Sequence, residues 1–140
     1  MTGEVAVKQL DSKTLVAGQV MPSDIPALAA AGVTMIVNNR PDGEEPAQPA
    51  AAAVEAAARA AGLGYRHIPI AGGFNGDDIL AMAEALDAAG EGRVLAFCKS
   101  GTRSCYLWAL ARAERGGKAE EIVAAAEAAG YDFSPIRSYL

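Results

Sequence analysis

The chain is 140 residues long, with 12 Lys and Arg against 17 Asp and Glu, a net charge of −5 and two cysteines. That length fits one domain, residues 1–140, with little room for a second core; no apolar run is long enough to span a membrane, and Met1–Leu10 lacks the basic and apolar regions of a signal peptide. The acidic balance argues against a general nucleic-acid binder, and two cysteines make no disulfide framework, so a soluble cytoplasmic protein is expected.

Ala supplies 32 positions and clusters in runs such as Ala50–Ala53 and Ala124–Ala126, the mark of helices with small contact faces. Val5–Leu10 and Thr14–Gln19 are β-prone stretches parted by Asp11-Ser12-Lys13 and predict a hairpin. Pro22-Ser23-Asp24 opens a helix with Ser23 as N-cap, and Ile25, Leu28, Ala29 and Gly32 space like one face and a stop. Val33–Val37 is a continuous apolar run, suited to a strand buried on both faces of a parallel sheet, and it ends in Asn38-Asn39-Arg40. The three prolines of Pro41–Pro49 enforce a loop. An Ala-rich helix over about Ala50–Ala61 follows, then a strand Tyr65–Ile70 closed by Ala71-Gly72-Gly73, then a helix Asp77–Ala89 with Ile79, Met82, Ala83 and Leu86 on one face. Arg93–Phe97 is a third apolar strand and runs directly into Cys98. Helices near Ser104–Arg115 and Ala119–Ala129 and a tail from Ser134 complete the chain. The alternation predicts an α/β fold of three layers, a mainly parallel sheet flanked by helices.

One segment concentrates chemistry: Cys98-Lys99-Ser100-Gly101-Thr102-Arg103-Ser104, between a buried strand and a helix. Ligand sites of such sheets lie at the carboxyl ends of parallel strands. A loop there, turning at Gly101, can curl its backbone N–H groups into a nest for an anion, and the helix adds the positive end of its dipole. Lys99 and Arg103 contribute two cations, and Arg can grip an oxyanion bidentately. The same surroundings are expected to lower the pKa of Cys98, giving a thiolate beside an oxyanion cradle, as attack on phosphorus or sulfur requires. Ser104 can hydrogen-bond the sulfur or a leaving group.

Other residues read more plainly. His67, the single histidine, falls inside a strand and reads as a packed or hydrogen-bonded side chain. One His and two Cys make no zinc site, so neither metal nor cofactor is expected. Cys105 is expected to pack inside its helix, with a disulfide to Cys98 the less favoured alternative. Asn39 and Arg40 end a strand at the same sheet edge as Cys98; they brace the loop, or Arg40 pairs with Glu44 at the surface. Leu107, Trp108, Leu110 and Ala111 read as core, and Glu120-Glu121 as a solvated helix face.

The Cys98 loop resembles that of the cysteine-dependent phosphatases, dual-specificity class included, and that of the rhodanese-like sulfurtransferases. Its four residues between Cys98 and Arg103 match the shorter, rhodanese-like spacing. Four motifs in order resemble a narrower family, the phosphatase-like domain of the beta-lactamase hydrolase-like proteins (DUF442): Leu15-Val16-Ala17-Gly18-Gln19, Val37-Asn38-Asn39-Arg40-Pro41-Asp42-Gly43-Glu44, Tyr65-Arg66-His67-Ile68-Pro69-Ile70, and Leu95 through Ser104. The resemblance implies a dual-specificity-phosphatase-like architecture. It also implies a link to sulfur metabolism, because relatives are fused to a metallo-β-lactamase-type sulfur dioxygenase domain.

Phosphatases of this type supply an Asp general acid from the loop after a strand like Tyr65–Ile70, where this chain has Ala71-Gly72-Gly73. Asp77 and Asp78 lie a few residues on, and Asp42 and Glu44 lie on another loop. Each is a candidate, although Asp77 and Asp78 also suit a helix N-terminus and Asp42-Gly43 a turn. The leading expectation is a phosphate-monoester hydrolase using Cys98 and Arg103, with Lys99, Ser100, Gly101, Thr102 and Ser104 in the anion loop. The alternative is a sulfurtransferase that carries a sulfane sulfur as a Cys98 persulfide. A third reading is an anion- or phosphopeptide-binding module without turnover.

Overall fold

The computed structural model describes residues 6–139. Five strands form one sheet: β1 Val7–Gln9, β2 Thr14–Ala17, β3 Val33–Asn38, β4 Gly64–His67 and β5 Arg93–Phe97. They lie in the order β1-β2-β5-β3-β4. β1 and β2 form the expected antiparallel hairpin, of whose first predicted strand Val5 lies outside the described residues. Every other pairing is parallel. The helices are α1 Ile25–Ala30, α2 Ala51–Ala60, α3 Gly76–Ala88, α4 Thr102–Glu114 and α5 Ala119–Ala128, with a 3-10 turn at Ser134–Tyr139.

Both faces of the inner sheet are covered, so β2, β3 and β5 read as near-continuous apolar runs, while the edge strands β1 and β4 are largely exposed. Successive strand side chains point to opposite faces. Val16, Met35, Val37, Val94 and Ala96 accordingly join one core with side chains of α3, α4 and α5. Leu15, Ala17, Ile36, Leu95 and Phe97 join the other, with Ile25 and Leu28 of α1 and Val54 and Ala58 of α2. The expected three-layer, mainly parallel α/β architecture is what the chain adopts.

The boundaries that differ do so for local reasons. Ser23 is not an N-cap: Pro22–Asp24 forms a 3-10 turn in which the Asp24 carboxylate accepts from the Met21 N–H at 2.8 Å, and α1 starts at Ile25. The ladder of β4 stops at His67 rather than Ile70, because Pro69 has no N–H to donate. The amides of Ile68 and Ile70 still bond the carbonyls of Asn38 and Asn39. α4 begins at Thr102, two residues before the predicted start, so Arg103 and Ser104 stand on its first turn. This last shift fixes where the Arg103 side chain leaves the backbone.

Candidate active site

Because β2, β3, β4 and β5 run parallel, their carboxyl ends share one edge of the sheet. The segments leaving that edge converge on Cys98, which follows the central strand β5 and is fully buried. Gly101 takes φ +91, a conformation open to Gly and costly for other residues. The backbone thereby turns so that the Gly101 N–H donates to Cys98 Sγ at 3.1 Å. A Cβ at Gly101 would stand 2.3 Å from the Tyr131 hydroxyl, and one at Gly18 only 3.0 Å from the Lys99 carbonyl. The loop is therefore clasped between the end of β2 and the segment after α5.

Charge is arranged around a single carboxylate. Arg103 grips Glu44 with both terminal nitrogens, each at 2.9 Å, and also donates to the Ile70 carbonyl at 2.8 Å. Arg40, buried to 3% exposure, donates from Nε to the same Glu44 at 2.8 Å, from Nη1 to Gln19 at 2.9 Å and from Nη2 to Glu45 at 2.6 Å. Lys99 lies 3.7 Å from Glu45 and is largely exposed. Three cations thus meet two carboxylates, and the loop's positive charge is mostly neutralised. Arg103, opposed by partial burial and reinforced by Arg40, brings the Glu44 carboxyl from 4.5 to about 2. Glu44 in turn raises the pKa of Arg103, with a smaller contribution from the Cys98 sulfur, so the same guanidinium responds to both groups. Burial works against the charge on Arg40, but its hydrogen bonds to Glu44 and Glu45 outweigh it and its pKa rises.

Asn39 ties the surrounding loops together. Its side chain donates to the Ile68 carbonyl at 3.0 Å and accepts from Ser104 Oγ at 2.8 Å, while its N–H donates to the Phe97 carbonyl at 2.8 Å. Ser104 therefore gives its hydroxyl proton to Asn39 instead of to the Cys98 sulfur or a leaving group. Both readings of Arg40 hold at once, since it braces the loop and pairs with Glu44, but it does so buried and not at the surface. Ser100 and Thr102 place their hydroxyls 3.1 Å apart on the exposed side of the loop.

None of the three aspartates considered as acids bonds Arg103 or Arg40. Asp42 accepts from the Ala51 N–H at 2.8 Å and so satisfies the start of α2. Asp78 exchanges capping hydrogen bonds with Asn75, and Asp77 stands exposed on the first turn of α3. His67 donates from Nε2 to the Arg40 carbonyl at 3.0 Å, the hydrogen-bonded role expected of it. Cys105 is buried, and burial pushes its thiol up to about 12, so it stays protonated at neutral pH. Among the described residues no cluster of His, Cys, Asp and Glu could hold a metal.

Sequence reasoning missed the partners of the anion grip. Glu44 was visible as one loop acid among several, whereas Gln19, Glu45 and Tyr131 carried no signal. The nearest hint was an Arg four and five residues before two Glu in a proline-rich loop. Chemically, a guanidinium that holds a carboxylate bidentately beside a cysteine sulfur is built for a planar or tetrahedral oxyanion.

The sequence profile of the family described as beta-lactamase hydrolase-like protein, phosphatase-like domain, matches residues 7–115. A beta-lactamase hydrolase-like protein of Xylella fastidiosa is 38% identical over 136 residues, covering 96% of this chain and 31% of that protein. The chain thus spans about a third of the length of that curated relative. A crystal structure from Neisseria meningitidis, provisionally described as a phosphatase, is 32% identical, covers 94% of this chain with 93% of its own, and has a TM-score of 0.77. Two further structures share the fold alone. One is a kinase-associated phosphatase whose catalytic-site cysteine is replaced by serine, 14% identical with a TM-score of 0.70 over 91% of this chain and 83% of its own. The other is TpbA of Pseudomonas aeruginosa, in a cysteine-to-serine variant bound to phosphotyrosine, 17% identical with a TM-score of 0.65 over 95% of this chain and 79% of its own. The architecture is that of the dual-specificity and protein tyrosine phosphatases.

Proposed function

The chain belongs to the phosphatase-like domain family of the beta-lactamase hydrolase-like proteins, and on that premise we propose that it hydrolyses phosphate monoesters through a Cys98 thiolate. The observation that carries this reading is the Arg103 guanidinium, already closed on a carboxylate and responsive to the Cys98 sulfur. In the reaction the phosphoryl group takes the carboxylate's place. Arg103 holds two of its oxygens, the start of α4 faces the remaining negative charge, Lys99 adds a further cation at the rim, and the Gly101 N–H stays on the Cys98 sulfur. Cys98 attacks phosphorus, a phosphocysteine forms, and water releases inorganic phosphate. The catalytic-site cysteine of the kinase-associated phosphatase and the phosphotyrosine on TpbA support a cysteine nucleophile and a small phosphate ester here. A reducing compartment suits the thiolate.

The four-residue spacing from Cys98 to Arg103 was the ground for the sulfurtransferase alternative, and the similar proteins give it no support. The test uses the purified chain with an aryl phosphate, with thiosulfate plus cyanide as the control substrate pair. Phosphate release should fall by at least about 10³-fold in Cys98→Ser and by about 10²–10³-fold in Arg103→Ala, and acid quench should trap phosphate on Cys98. Thiocyanate formation with a sulfur adduct on Cys98, and no phosphate release, would overturn the reading.

A further inference from the structure

The proposed reaction still needs a group to protonate the leaving oxygen, and the usual loop holds Ala71-Gly72-Gly73. We propose that Glu44 is that proton donor and acceptor, released from Arg103 by the incoming phosphate. The inference rests on the phosphatase reading and assigns the missing role to a residue on a different loop.

Three observations converge on Glu44. Its two oxygens occupy the bidentate face of Arg103, so it stands where phosphoryl oxygens must bind and borders that group once they do. Arg40 keeps hold of it from behind, anchored in turn by Gln19 and Glu45, so a displaced Glu44 stays at the site. Asp42 and Asp78 are committed, at the start of α2 and in the capping pair of α3, and Asp77 makes no bond to Arg103 or Arg40.

The charged groups around Glu44 make exchange and protonation one event. Arg103 and Arg40 face it directly, Glu45 shares Arg40, Lys99 faces Glu45, the Cys98 sulfur also acts on Arg103, and His67 bonds the Arg40 carbonyl. With Arg103 on the carboxylate, Glu44 is ionised at all ordinary pH values. A phosphate dianion removes the strongest of its stabilising partners and places like charge beside it. Both changes favour the protonated acid, which takes its proton from solvent. Attack by the Cys98 thiolate then forms the S–P bond and breaks the P–O bond, and the leaving oxygen takes the proton from Glu44. In the second half, water gives a proton to the Glu44 carboxylate as it attacks the phosphocysteine, the S–P bond breaks, and thiolate and inorganic phosphate are regenerated.

The test compares wild type, Glu44→Gln and Glu44→Asp on phenyl phosphate, whose leaving group needs a proton, and on 2,4-dinitrophenyl phosphate, whose leaving group does not. Glu44→Gln should lose about 10²-fold or more in kcat/KM, which reports only the steps up to the phosphocysteine, on phenyl phosphate and little on the dinitrophenyl ester. Glu44→Asp should recover part of the loss. Inorganic phosphate should inhibit Glu44→Gln at lower concentration than wild type, because its internal competitor is gone. Equal losses in kcat/KM on both esters, or an unchanged kcat/KM for phenyl phosphate, overturn the role of Glu44 and leave the phosphatase reading standing. Failure of wild type on both esters overturns the phosphatase reading itself.

Discussion

Arg103 and Glu44 lie 59 residues apart in sequence, yet their pairing is the strongest electrostatic feature of the site. Glu44 also accepts from Arg40, so one carboxylate bridges two guanidinium groups, the second of them buried. Such pairing leaves a pH signature. Glu44 titrates near 4.5 when unfolded and about 2 when folded, so between those values the unfolded chain binds more protons. The stability it contributes is complete above about 4.5 and is lost as pH falls towards 2. Glu45, drawn down chiefly by Arg40, acts in the same direction. Urea unfolding of wild type and Glu44→Gln across this acid range should therefore converge as pH falls. A gap that stays constant with pH would mean that Glu44 is not ionised in the folded protein.

At the scale of elements, two loops divide the work. The segment after β3 carries both Arg40 and Glu44 to the site, while Asp42 between them turns back to the Ala51 N–H of α2. That helix begins after Ala50, whose side chain offers no cap, so the distant Asp42 supplies the acceptor that the first turn lacks. Asp42→Ala should cost about 1 kcal/mol of stability, as loss of a helix cap does, with kcat on phenyl phosphate kept within a few-fold. A collapse of turnover without loss of stability would return Asp42 to the list of acids. The place of the second loop, Cys98–Gly101, at a strand–helix junction was legible, and its Cys, Gly, Arg and Ser are the ground of the anion-binding role proposed for it. The start of α4 was read two residues late. Thr102 and Arg103 carry no capping signal, and Gly101 as N-cap shows itself only through its positive φ.

Across the whole molecule, the sheet is the shared wall of two cores. Trp108, the single tryptophan, is buried on the α4 side, whereas Ile36 points to the opposite face. Since β2, β3 and β5 each contribute side chains to both cores, the two faces should unfold together. Ile36→Ala should lower stability by about 2–5 kcal/mol and shift the transitions of Trp108 fluorescence and far-UV circular dichroism by the same amount. A Trp108 transition left unmoved would show that the faces melt separately.

The amino-acid sequence by itself determined the alternation of strands and helices, the mainly parallel sheet, and the glycine-turned loop from Cys98 at a strand–helix junction, because apolar periodicity and local turn chemistry are carried by neighbouring residues. Asn39 and Arg40 were legible as bracing residues for the same reason, since a parallel strand places its end beside its neighbour's end. Tertiary structure alone decided which carboxylate meets Arg103, that Ser104 serves Asn39, and that Asp42 serves the start of α2. Four segments distant in the chain converge at one sheet edge, and an ion pair of 2.9 Å depends on side-chain positions that no local pattern encodes.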